Sequence, residues 1–156
     1  MKVCKFGGSS LANAAQVTKV IDIVLADPAR RIVVVSAPGK RHSTDTKVTD
    51  LLIALANAAM KGENTDRQFG EVVERYAEIA QELNLGEEIV RKIEADLIDR
   101  IAKVNDLSED EFMDLMKAAG EDNSAKIVAV AFEARGRKAR YASPKDTGMV
   151  LKGEFG

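Results

Sequence analysis

The segment RIVVVSAPGK, residues 31–40, carries the first decision about the fold. Residues 32–35 are an unbroken β-branched run. Such a run suits a strand buried on both faces, as in parallel sheets covered by helices. Ala37-Pro38-Gly39 closes it as a turn. A polar stretch, KRHSTDTK, occupies 40–47, and Val48–Met60 then reads as a helix rich in Leu and Ala.

The same order appears upstream. Residues 3–6 are short and β-compatible, and Gly7 and Gly8 in KFGGSS end them. Ser9 and Ser10 are able to cap a helix. Leu11, Val17, Val20, Ile21, Val24 and Leu25 recur at helical spacing until Asp27-Pro28 stops them. Strand, glycine turn, helix, strand, glycine turn, helix is the βαβα rhythm of an α/β fold.

Downstream the pattern becomes helical. Phe69, Val72, Val73, Tyr76, Ile79 and Leu83 form one stripe over 66–84. Residues 84–86 break it, and Ile89, Val90, Ile93, Leu97, Ile101 and Val104 form a second over 87–104. The Glu, Lys, Arg and Asp residues between these positions are expected to face solvent. Ser108, with Glu111 three residues on, is a capping-box pattern opening a third helix, whose face is Phe112, Leu115, Met116 and Ala119. Gly120 is expected to end it, with residues 121–136 forming a separate helix closed by Gly136. The segment at about 65–118 thus reads as a helical insertion beside the sheet. KARYASP (138–144) reads as a strand, 144–148 as a turn and 149–153 as a short strand.

Composition bounds the rest. The 156 residues are 46% hydrophobic and 31% charged, with a net charge of −2. One domain with a single core is expected. There is no basic excess of the kind that marks nucleic-acid binders. No apolar run reaches membrane-spanning length, so no membrane partner is expected. The single cysteine and the absence of a signal-like N-terminus fit the cytoplasm.

Each glycine turn follows a strand and precedes a helix, the place where open α/β sheets bind ligands. Glycine lets backbone N–H groups approach an anion, and a helix N-terminus adds partial positive charge. Lys5 adds a full charge, and Ser9, Ser36 and Thr49 offer hydroxyls. The set suits phosphate and points to phosphoryl transfer, which depends chiefly on positioning and charge stabilisation. Either turn alone also reads as a tight turn with a cap, and neither GxxxxGK[ST] nor GxGxxG is present. Glu121 alone reads as a helix-start acid. His42, the only histidine, is expected in solvent, with no metal site around it. Cys4 is expected as a small buried hydrophobe, and neither Asp45 nor Asp50 is assigned as a base. The run 40–47 is alternatively a mobile loop over substrate.

VCKFGGSSLAN resembles the opening signature of the aspartate kinases, within the amino acid kinase family. IVVVSAPGK, VTDLLIAL, AAGEDNSAKIVAVAFEARG and ARYASPKDTGMVLKGEFG resemble later segments of that family, in the family's order. The resemblance implies a three-layer αβα amino-acid-kinase domain with a parallel-rich sheet, of which residues 1–156 are the N-terminal portion. It lacks the nucleotide half and the ACT domains, so the chain alone is expected to be inactive. The implied reaction moves the ATP γ-phosphoryl group to the β-carboxylate of L-aspartate, in lysine, threonine and methionine biosynthesis. ATP and Mg are implied, and aspartate is the partner. Lys5 is implied as the catalytic cation, Gly7, Gly8, Ser9 and Gly39 as phosphate-binding, and Ser36, Ala37, Thr49 and Glu121 as substrate-binding. An unpaired sheet edge makes a homo-oligomer the expected state. The alternatives are a family member acting on another acceptor, and a non-catalytic binding or assembly module.

Overall fold

The computed structural model describes residues 1–149. Two strands, β1 (Lys2–Phe6) and β2 (Arg30–Val35), pair in parallel, with Val3 beside Ile32 and Phe6 beside Val35. The crossover between them is α1 (Ala14–Leu25), as a parallel pair requires. Four further helices follow: α2 (Val48–Met60), α3 (Asp66–Glu82), α4 (Glu88–Ile101) and α5 (Glu109–Ala134). The fold is mixed α/β, as expected, and α2 has the bounds read from the sequence.

Alternation along the strands sorts the sheet into two unlike faces. Phe6 and Val33 are half-buried and Val35 is buried, and all three belong to the core. Cys4 turns the same way and is half-buried rather than enclosed. The other face carries Val3, Ile32 and Val34, which are 62%, 43% and 45% exposed. The expectation that residues 32–35 are buried on both faces therefore fails. Helices pack on one side of this two-stranded sheet, and the described residues supply no layer for the other.

The core lies among α1 to α5 and the inner face of the sheet. Its largest fully enclosed side chains include Tyr76, Phe112, Leu52, Leu55 and Met116. The stripes on α3 and α4 pack inward as their spacing predicts. Asn84 and Gly86, both with positive φ, turn the chain between them.

Three local readings are corrected. Ser9 and Ser10 do not cap α1. Residues Gly8–Leu11 form a single 3₁₀ turn, and the cap is Asn13, whose side chain accepts the Gln16 N–H at 3.0 Å. Gly120 does not end a helix, because α5 runs through it for 26 residues from the capping box at Ser108 and Glu111. Residues 138–144 form no strand, and among the described residues the sheet consists of β1 and β2. That stretch is tethered instead through Tyr141, whose hydroxyl donates to Asp122 Oδ1 at 2.8 Å. The turn at 144–148 is present, and the strand expected at 149–153 lies almost wholly outside the described residues.

Candidate active site

Both glycine loops leave the carboxyl ends of their strands at the same edge, because β1 and β2 are adjacent and parallel. Ser36 N–H donates to Phe6 O at 3.1 Å, and Gly39 N–H donates to Gly8 O at 2.8 Å. The contact permits no side chain on either partner. A Cβ on Gly39 would lie 2.7 Å from Gly8 C and 2.9 Å from Ser9 N. One on Gly8 would lie 2.9 Å from Ala37 O. All of these obstacles are backbone, which cannot swing away as a side chain can. Glycine is required here for close approach, not for an unusual φ.

Lys5 stands on β1 immediately before the first loop. A Cβ on Gly7 would be 3.7 Å from its Nζ, so the ammonium lies over that loop. Among the described residues no carboxylate pairs with it. Ser9 is exposed, and Ser36 and Thr49 are half-buried, Thr49 in the first turn of α2. The Val48 N–H, at the start of that helix, donates to Pro38 O at 3.1 Å and ties α2 to the second loop.

Helix α5 brings Glu121 to the same loop. Its Oε1 accepts the Ala37 N–H at 3.3 Å, across 84 residues of sequence. Gly120 makes that approach possible. A Cβ there would meet Ala37 Cβ at 2.7 Å and Leu52 Cδ1 at 3.3 Å. The Gly120 carbonyl also accepts the buried Tyr76 hydroxyl at 2.9 Å, and burial pushes that phenol well above its ordinary pKa.

The sequence reading missed Arg75. It is not solvent-facing but 3% exposed. Nη1 donates to Thr46 O at 2.6 Å and faces Asp45 Oδ2 at 3.2 Å. Nη2 donates to Gly39 O at 2.8 Å and to Ala12 O at 3.3 Å. Nε has no acceptor among the described residues. Burial pulls this guanidinium below its ordinary pKa, and the Asp45 charge opposes that. Asp45 is held in turn by Arg41, at 2.9 Å through both Nε and Nη2. These bonds to Arg41 carry the Asp45 carboxyl well below the usual range. Arg41 also reaches Glu78 on α3 at 2.5 Å. The polar run 40–47 is therefore tied to α3 by ion pairs. His42, within it, is exposed as expected.

The structure thus brings Lys5, Gly7, Gly8, Ser36, Ala37, Gly39 and Glu121 to one sheet edge, with Thr49 at the adjoining helix start. Among the described residues no three His, Cys, Asp or Glu side chains gather as a metal ion would need. No helix among them is long and apolar enough to cross a membrane.

The paired glycine loops lie at the carboxyl edge of a parallel sheet, the edge at which open α/β domains hold their ligands. The amino acid kinase family model matches residues 1–154, and the chain belongs to that family. It is 50% identical over 156 residues to aspartokinase 3 of Bacillus subtilis, covering all of this chain and 34% of that protein. The crystal structure of Clostridium acetobutylicum aspartate kinase superposes with a TM-score of 0.74 at 35% identity, over 84% of this chain and 29% of that one. Escherichia coli aspartokinase III in complex with aspartate and ADP superposes with a TM-score of 0.67 at 25% identity, over 86% of this chain and 29% of that one. The chain spans about a third of the length of the Bacillus relative.

Proposed function

We propose that this chain supplies the phosphate-side loops and part of the acceptor site of an aspartate kinase. In that reaction a β-carboxylate oxygen of L-aspartate attacks the γ-phosphorus of ATP. The bond from that phosphorus to the β,γ-bridging oxygen breaks, and aspartyl phosphate and ADP result. The observation that carries the reading is the contact between Gly8 and Gly39, with Glu121 held on the same loop, in a chain 50% identical to a named aspartokinase. It holds two anion-ready loops against one another beside an unpaired ammonium and a carboxylate.

Each residue then has a role its chemistry suits. Lys5 offsets the charge that develops on the transferring phosphoryl group. Gly7, Gly8 and Ser9 give backbone and hydroxyl donors to phosphate oxygens, and Gly39, its own N–H held by Gly8 O, lets the second phosphate-side loop close against the first. Ser36, Ala37 and Thr49 line the acceptor, and the Glu121 carboxylate faces its ammonium. ATP is a substrate of this reading. The described residues form no carboxylate cluster for Mg, and none is given a role toward it. The reading places the protein in the cytoplasm, in lysine, threonine and methionine biosynthesis, as a homo-oligomer. Turnover belongs to a protein longer than these 156 residues, since they span 34% of the Bacillus relative.

The test is coupled detection of ADP release by the full-length enzyme carrying this sequence, with Mg-ATP and a panel of carboxylate acceptors. Aspartate-dependent release is expected. Release with another acceptor and none with aspartate would move the chain elsewhere within its family.

A further inference from the structure

Arg75 lies on α3, outside both glycine loops, yet both terminal nitrogens of its guanidinium are committed to them or to the segment joining them to a helix. Its partners come from three places. Ala12 closes the first loop, Gly39 lies within the second, and Thr46 and Asp45 end the polar run before α2. These contacts cross 63, 36 and 29 residues for Ala12, Gly39 and Thr46. A planar fork of fixed geometry serves several carbonyls at once, which a lysine ammonium on a flexible stem does not reproduce.

The direction of those carbonyls matters. In a trans peptide the N–H points opposite to the C=O. Drawing the Gly39 carbonyl onto Arg75 therefore turns the Lys40 N–H away from the core. The Ala12 and Thr46 carbonyls do the same for the Asn13 and Lys47 amides. One buried cation thus turns outward one backbone donor at the end of each loop, on Asn13 and Lys40, and a third on Lys47 before α2. It also draws four oxygens inward, so their partial negative charge lies on the side away from an incoming anion.

We propose that Arg75 is a positioning residue for phosphoryl transfer, fixing the two phosphate-side loops relative to one another from behind. The proposal rests on the aspartate kinase reading for its kinetic test and on geometry alone for its structural one. Displacing a transition-state contact by a fraction of an ångström lowers turnover more than ground-state binding. A merely structural arginine would affect stability and leave the folded enzyme's turnover intact.

The experiment is Arg75→Lys in the full-length enzyme, assayed well below the melting midpoints of both proteins and normalised to folded protein. Expected is a fall in kcat of about tenfold or more, with aspartate KM within about threefold of wild type. Hydrogen exchange should rise in residues 7–13 and 36–47 and remain unchanged in α4. Wild-type kcat in the folded variant would overturn the proposal. Should Arg75→Lys not fold, Asp45→Asn removes the charge facing Arg75 and keeps its three carbonyls. A smaller fall in kcat, with faster exchange at 40–47, is then expected, and unchanged values of both would overturn the proposal. If the wild type itself releases no ADP with aspartate, the functional reading fails. The loop-positioning claim is then judged by exchange alone, and equal exchange in wild type and Arg75→Lys would overturn it.

Discussion

Gly120 and Ala37 touch so closely that a methyl group on the glycine would lie 2.7 Å from the alanine Cβ. In an exposed helix interior Gly→Ala gains about 1 kcal/mol of stability. Here the added carbon meets Ala37 on one side and Leu52 on the other, and overpacking of this kind costs about 1–3 kcal/mol. Gly120→Ala should therefore be neutral to destabilising in urea unfolding, and it should raise aspartate KM by pushing Glu121 off Ala37. A gain of the full helix-propensity increment, with KM unchanged, would show that the contact is slack.

Gly39→Ala tests the junction of the two loops. The obstacles are Gly8 and Ser9 backbone atoms at 2.7–2.9 Å, so the loops must separate. A loss of turnover of about a hundredfold is expected, with far-UV circular dichroism retained. Turnover within about threefold of wild type would mean that the loops can part without consequence.

Lys5→Met removes the ammonium and keeps much of the stem. Because the proposed role is charge stabilisation in the transition state, kcat should fall about a hundredfold or more while aspartate KM changes little. Near-normal kcat would remove Lys5 from the catalytic set.

Glu121→Gln keeps an oxygen able to accept the Ala37 N–H and deletes the charge. Any kinetic change therefore reports charge rather than loop position. Aspartate KM should rise, with ATP KM steady. The reverse pattern would place Glu121 on the nucleotide side.

Asp45 gives a pH prediction with a definite sign. Its folded pKa is depressed, chiefly through its hydrogen bond with Arg41, so the unfolded chain binds the proton more readily. Its contribution to stability is complete above the unfolded carboxylate range, about pH 4, and declines as pH falls through and below it. The stability gap between wild type and Asp45→Asn should be widest near neutrality and should narrow towards pH 3. A gap that widens on acidification would contradict the Arg41–Asp45 pairing.

The parts of this molecule legible in the sequence are those with local causes. The β-branched run before Ala37-Pro38-Gly39 announces β2, and stripes of period 3.6 announce α3 and α4. Gly120 misled because glycine reads as a helix breaker, whereas its reason is a neighbour 83 positions upstream in the chain, Ala37. Residues 138–144 misled because β-propensity is only a preference until a partner strand is present. Arg75 did carry a signal. It stands three residues after Val72 and four before Ile79, on the apolar stripe itself, where a charge calls for partners. The glycine loops and Lys5 pointed to an anion site by their place after two strands, whereas the role of Glu121 came only from family resemblance, since alone it reads as a helix-start acid.

The bond from Ala37 to Glu121 also has a meaning in time. Synthesis proceeds at about 5–20 residues per second, so the second loop precedes its carboxylate partner, 84 residues later, by about 4–17 s. Throughout that interval the nascent chain holds both glycine loops without the helix that completes them. On the proposed function, ligand capture follows synthesis of α5, and a chain stopped before Glu121 would hold both glycine loops and α1 to α4 without the carboxylate that reaches Ala37.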